Sequence, residues 1–235
     1  KEYDMKFGYA EQGVMKGIIR DFAMGNADIW DLIERIKLNF GYRFDNDMSM
    51  GYRFVKNNGT ALLIGHAMSR DPQYHFLYRL NAFVERQKKM TVPMDELQVF
   101  TKIYTLKTMK QYNMWYAVVE DVPLPFVYQQ GWPEYDLALH MEPIINDMVA
   151  EPDQRSRMMF YTHLANEFGK LDTEYTLVDY LAINENVELF YDALFHVYKF
   201  ARYSGLTVDL DEGNLGMTED GKVRILNALR AVEYA

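Results

Sequence analysis

The chain has 235 residues, a formal net charge of −9, 49% hydrophobic and 15% aromatic residues, and no cysteine. The acidic balance argues against a broad footprint on nucleic-acid phosphates, which needs clustered Lys and Arg. The apolar content argues against disorder, and the lack of cysteine excludes disulfides, thiolate chemistry and cysteine-ligated zinc.

No apolar run is long enough to span a bilayer. The N-terminal KEYDMKFGYAEQG lacks the apolar centre of a signal peptide. A cytoplasmic protein with no membrane partner is the expectation. The chain opens on Lys1, which is compatible with processing or trimming.

Residues 10–38 read as helix, with Ile18, Ile19, Phe22 and then Ile29, Trp30, Ile33, Ile36 at helical spacing and a break at Gly25-Asn26. From 39 to 68, short aromatic and aliphatic runs separated by DND and KNNG predict three antiparallel strands. Residues 71–89 carry Phe76, Leu77, Leu80, Phe83 and Val84 on one helical stripe. VFTKIYTLKT and MWYAVVEDV predict two further strands, the second with a buried run at 116–119. VPLPFVYQQGWP, from Val122 to Pro133, is too rich in Pro and Gly for a helix and reads as a connector. Helices follow near 134–149, 154–169 and 186–204, the last stopped by Gly205. LGMT and KVRIL flank Glu219-Asp220-Gly221, a strong hairpin signal.

The segment GLTVDLDEGNLGMTEDGKVRILNAL concentrates the candidate chemistry. As a calcium loop starting at Asp209 it fails at two strict positions, because Asn214 stands where glycine is needed and Asp220 where glutamate is needed. As a phosphoryl-transfer loop it fits better. Asp209-Leu210-Asp211-Glu212-Gly213-Asn214 has the D-L-x-x-x-N spacing in which the Asp orients a hydroxyl and the Asn binds a metal.

On these residues the chain resembles the protein-kinase-like fold, and most closely the small early Ser/Thr kinases of lytic podophages. In those the loop reads D-M-H-S-G-N, followed by a hairpin and D-P in place of D-F-G. The separation of Asn214 and Asn227 is the one kinases use between the loop Asn and the second metal ligand. The resemblance implies that Asp209 is the base, weak or vestigial, and that Asn214 and Asn227 are the metal ligands. It implies that the backbone of Glu120, Asp121 and Val122 forms the hinge facing adenine, with ATP and Mg²⁺ as cofactors only if the site functions. The implied fold is α+β and bilobal: residues 1–121 form N-terminal helices plus a small antiparallel-sheet N-lobe, and 122–235 form the hinge and a helical C-lobe with a catalytic-loop hairpin.

The departures fall on the electrostatics of ATP binding. In a gapless reading from Gly41, the third-strand Lys that holds the phosphates falls at Gly65. The glycine-rich loop is replaced by a stretch containing Asp45 and Asp47, which repel phosphate. Asn227 brings no charge. Losing the Lys and one metal carboxylate costs several kcal/mol, roughly 10³-fold or more in rate.

The resulting expectation is a phage-encoded pseudokinase that binds and inhibits or redirects a host protein of transcription or defence, such as a basic nucleic-acid-binding enzyme. It would not bind nucleic acid directly. The rivals are an active Ser/Thr kinase in which Arg43 or Arg53 replaces the Lys, and a structural or virion-associated protein with no ligand site. The five histidines show no i, i+4 pairing and read as surface or core-edge residues. Tyr42, Tyr52 and Phe54 read as packing residues, and the 15 methionines as core filler.

Overall fold

The computed structural model describes residues 3–122, 124–125, 131–152, 155–226 and 229–231. The fold is α+β, an N-terminal five-stranded antiparallel sheet followed by a largely helical region. The chain divides into two compact units, Lys1–Tyr78 with Lys102–Asp121, and Arg79–Thr101 with Val122–Ala235.

The first unit begins with helices α1 (Tyr9–Ala23) and α2 (Ile29–Phe40). Gly25, at a φ of 75°, falls in the break between them. Asp28 then starts α2 by accepting from the Asp31 backbone N–H, while the Asp31 side chain accepts from that of Asp28. Gly41 ends α2 in the left-handed region, φ 73°.

Strands β1 (Arg43–Met48), β2 (Gly51–Lys56), β3 (Thr60–His66), β4 (Ile103–Met109) and β5 (Met114–Glu120) form one sheet in the order β1-β2-β3-β5-β4. All its pairings are antiparallel. Both edge strands, β1 and β4, carry a register shift, between Phe44 and Asn46 and between Ile103 and Thr105.

β3 and β5 are buried almost end to end, so side chains on both faces are covered. On one face Leu62, Ile64, Tyr116 and Val118 join Met15, Ile18, Ile19, Leu32 and Ile36 of α1 and α2 in a continuous apolar core. The two-residue strand period places Leu63, Gly65, Trp115 and Ala117 on the other face. There the fully buried Trp115 indole donates from Nε1 to Asp71 Oδ2 at 3.0 Å. The other oxygen of Asp71 accepts from the Gln73 backbone N–H at 3.0 Å, at the start of α3 (Pro72–Lys89). Tyr74 lies 5.8 Å from the indole, ring to ring.

In the second unit, the later part of α3 brings Phe83 within 5.2 Å of Phe200 and 6.1 Å of Phe100. Val99 to Thr101, expected as the start of a strand continuing into β4, instead bonds to Ile225: Ile225 N–H donates to Val99 O and Thr101 N–H to Ile225 O. Pairing with a distant strand overrides the local pattern here.

Helices α4 (Pro133–Ala150), α5 (Arg157–Phe168) and α6 (Leu177–Leu181) surround α7 (Glu185–Ser204). α7 buries Val187, Phe190, Leu194, Val197, Phe200 and Ala201. Asn184 caps its start by accepting from the Val187 N–H, and Gly205 ends it at φ 68°. The hairpin β8 (Leu215–Met217) and β9 (Val223–Ile225) turns at Gly221, φ 83°. β6 (Leu124–Pro125) pairs with β8, and β10 (Leu229–Ala231) with β7 (Leu206–Val208). Among the described residues no helix is long and apolar enough to cross a membrane.

Removing the Asp71 carboxylate strands a buried indole N–H and uncaps α3. Asp71→Ala is therefore expected to lower stability by about 2–4 kcal/mol in urea unfolding. By contrast, a Cβ at Gly13, inside α1, meets nothing within 4 Å. Gly13→Ala should raise stability by roughly 0.5–1 kcal/mol in the same measurement.

Candidate functional site

The loop after α7 is held from α4. Glu142 and Asn146 are four residues apart and therefore share one face of that helix. Around them Met141, Ile144, Ile145 and Met148 are buried. The Asn146 amide clamps Val208 at both backbone groups: Nδ2 donates to Val208 O at 2.8 Å, and Val208 N–H donates to Asn146 Oδ1 at 2.7 Å. Glu142 Oε2 accepts from the Leu210 N–H at 2.9 Å.

Asp209 sits between these two anchored residues and is 5% exposed. Its Oδ1 accepts from the Asp211 N–H at 3.4 Å. A single 3₁₀ turn, Glu212–Asn214, follows, with Asn214 N–H donating to Asp211 O. Asn214 O accepts from the Leu226 N–H at 2.8 Å, which ties the loop to the end of the hairpin.

The carboxylates of Glu142, Asp209 and Asp211 offer oxygens all within 4.8 Å of one another. Three hard oxygen donors at that spacing can hold a Mg²⁺- or Ca²⁺-type cation. The loop spacing pointed to Asp209 and Asn214. Asp211 fits the third place of the calcium loop that the sequence otherwise fails, whereas Glu142 was not singled out, although Glu142 and Asn146 stand out as polar residues on an apolar stretch of α4. Asn227 lies outside the described residues.

The residues expected to form the hinge, Glu120, Asp121 and Val122, fall in different units. Glu120 N–H donates to Lys102 O, and Asp121 N–H to Gly59 O, so both of these donors serve the sheet of the first unit. Val122 belongs to the second unit, where its Cγ1 would lie 2.7 Å from a Cβ built at Gly216. Arg53 is engaged by two carboxylates, at 2.6 Å from Asp45 through Nη1 and by Asp121 through Nη2.

At Gly65 a Cβ would fall 1.9 Å from Trp115 Nε1, so the indole occupies the space of any side chain at that position. Gly65 pairs directly with Trp115 across β3 and β5, and with Gly51 across β2 and β3.

A second polar cluster in the helical unit was not expected. His196 on α7, read from sequence as a surface or core-edge residue, is 2% exposed. Its Nε2 lies 2.6 Å from Glu96 Oε2. Arg157 Nη1 donates to the same oxygen at 2.9 Å. Burial pushes the imidazole below its ordinary pKa, against the pull of Glu96. The His196 hydrogen bond, helped by Arg157, holds the Glu96 carboxyl below its usual range. No signal in the local sequence joins residues one hundred positions apart.

No protein-family model matches the chain, and no curated protein matches it.

Two outcomes follow for this unit. Asn146→Ala removes two hydrogen bonds to Val208 and is expected to cost about 2 kcal/mol, with faster amide exchange at Val208. For His196 the folded pKa lies below the unfolded value, so the unfolded chain takes up a proton first. Stability should then fall as pH drops below about 6.5. Glu96, also depressed on folding, adds a further loss below about 4.5. Urea unfolding of His196→Gln across this range should lack the upper part of the fall.

Proposed function

We propose that the chain is a kinase-derived binding protein that acts by docking on a basic partner and not by transferring phosphate. The observation carrying this reading is the Trp115 indole in the space of residue 65, the position at which the kinase resemblance expects the phosphate-holding Lys. The order of elements supports the kinase ancestry: an antiparallel sheet with a helix between its third and fourth strands, then helices, a polar loop and a hairpin.

Arg53, one of the two arginines that could replace the missing Lys, is already engaged by Asp45 and Asp121. Phosphoryl transfer depends almost wholly on positioning and charge stabilisation, so these changes act directly on the rate.

Charge distribution supports the docking part. The first unit carries 13 Lys and Arg against 12 Asp and Glu, and the second 12 against 22, for net charges of +1 and −10. Residues 171–198 contain six acidic residues and no Lys or Arg. The same segment exposes Tyr175, Val178, Ile183 and Leu189. Apolar anchors set among carboxylates suit a basic protein face, with charge setting the encounter rate and the anchors the lifetime. The resemblance to podophage kinases makes this partner a host protein of transcription or defence.

The Glu142, Asp209 and Asp211 cluster favours a second reading, an active Ser/Thr kinase of non-standard site with Asp209 as base and a cation held by the three carboxylates.

One pair of assays separates the readings. With labelled ATP and Mg²⁺ in host lysate, the docking reading expects no transfer above roughly 0.01 s⁻¹, against about 1–100 s⁻¹ for ordinary kinases. Transfer at ordinary rates that vanishes in Asp209→Ala establishes the kinase and removes the docking reading. In parallel, pull-down should retain a basic host protein. That capture should weaken with salt and be lost when Asp172, Asp179, Glu185 and Glu188 are changed to Lys.

A further inference from the structure

The helical unit is strongly acidic, yet one cavity in it, of about 350 Å³, is lined by Arg86, Arg155, Lys199 and Arg202 and by no Asp or Glu. Its volume is in the range of small-ligand pockets. The four cations come from the end of α3, the residue two before α5, and the last two turns of α7.

Their existing partners leave the positive charge largely unbalanced. Arg202 donates to the carbonyl oxygens of Val149, Glu151 and Pro152, which satisfies its hydrogen bonds without cancelling its charge. Lys199 Nζ donates to the neutral Gln87 Oε1 at 3.0 Å. Arg155 is paired with Glu151, but its buried Nε has no hydrogen-bond partner. Arg86 makes no salt bridge among the described residues; its guanidinium lies over the Tyr203 ring at 5.4 Å. Burial pushes the Lys199 ammonium below the ordinary lysine range; Glu96 opposes this, and the nearby Arg157 and Arg86 add to it.

The rest of the wall is Phe83, Phe195, Tyr198 and Tyr203, with Gln87 and Met90. Phe195 carries Lys199 over its ring at 5.5 Å, and Tyr203 is 46% exposed. Concentrated cations stabilise a multiply charged oxyanion, arginines especially because their forked donors match phosphate oxygens. Exposed ring surface beside them accepts a planar organic group.

We propose that this cavity is a binding site for a small phosphate monoester carrying an aromatic ring, its phosphate held by Arg86, Arg155 and Lys199 and its ring against Phe195 and Tyr203. The site lies apart from the Asp209 loop in sequence and lining, and its occupancy does not depend on the docking reading.

Isothermal titration of the full chain with phenyl phosphate and, separately, inorganic phosphate tests this. Phenyl phosphate is expected to bind at millimolar concentration or tighter, and more tightly than inorganic phosphate. Arg86→Gln, at an exposed position, and Lys199→Gln should each weaken it by about tenfold, the loss of one charge-assisted contact. Lys107→Gln in the first unit should change nothing, and unliganded melting temperatures confirm that each variant folds. Absence of binding at 10-fold molar excess over about 1 mM protein, or equal weakening by Lys107→Gln, overturns the proposal. Equal affinity for inorganic phosphate overturns the ring-binding half of it.

Discussion

The hydrogen bond from Trp115 to Asp71 joins three parts of the sheet-bearing unit. The indole comes from β5, the carboxylate caps the start of α3, and the space the ring fills is left by Gly65 on β3. A buried carboxylate is tolerated only when its oxygens are satisfied, and here the donors are an indole N–H and a helix-start N–H. The helix is thus anchored by the group that fills the sheet face. The contact between sheet and helix is a hydrogen bond from β5 to the helix-start carboxylate, and β3 contributes only the space left by Gly65. Trp115 needs a glycine opposite it, because a Cβ at Gly65 would fall 1.9 Å from the indole nitrogen.

The helical unit uses a different device. Its acidic loop is fixed by Glu142 and Asn146, neighbours on one face of α4, which reach the backbone of Leu210 and Val208. Backbone anchoring on both sides of Asp209 holds its carboxylate near those of Glu142 and Asp211.

Much of the architecture was legible in the sequence because local signals coincide with tertiary ones. The break at Gly25, the stop at Gly205 and the Asp220-Gly221 turn each mark a boundary that left-handed glycine geometry makes specific. The short runs at 43–66 gave three strands, with the turn between the second and third marked by KNNG; the DND expected as a separator falls inside β1. The short elements were less visible. α6 has five residues, and the Thr176–Asp179 capping box is its main local mark. β6, β7 and β10 have two or three residues each, and pairing defines them more than pattern. At the site, the Asp209–Asn214 spacing was readable. Glu142, the Trp115–Gly65 exclusion and the His196–Glu96 pair were not, because each joins residues brought together only by folding.

The irregular edges of the five-stranded sheet have a further meaning. β1 and β4 each present a bulge, and β1 adds Asp45 and Asp47 to its exposed rim. A bulged, charged rim is a poor template for another extended chain, because its free amides and carbonyls no longer run in even register. The sheet is therefore guarded against edge-to-edge pairing with another extended chain.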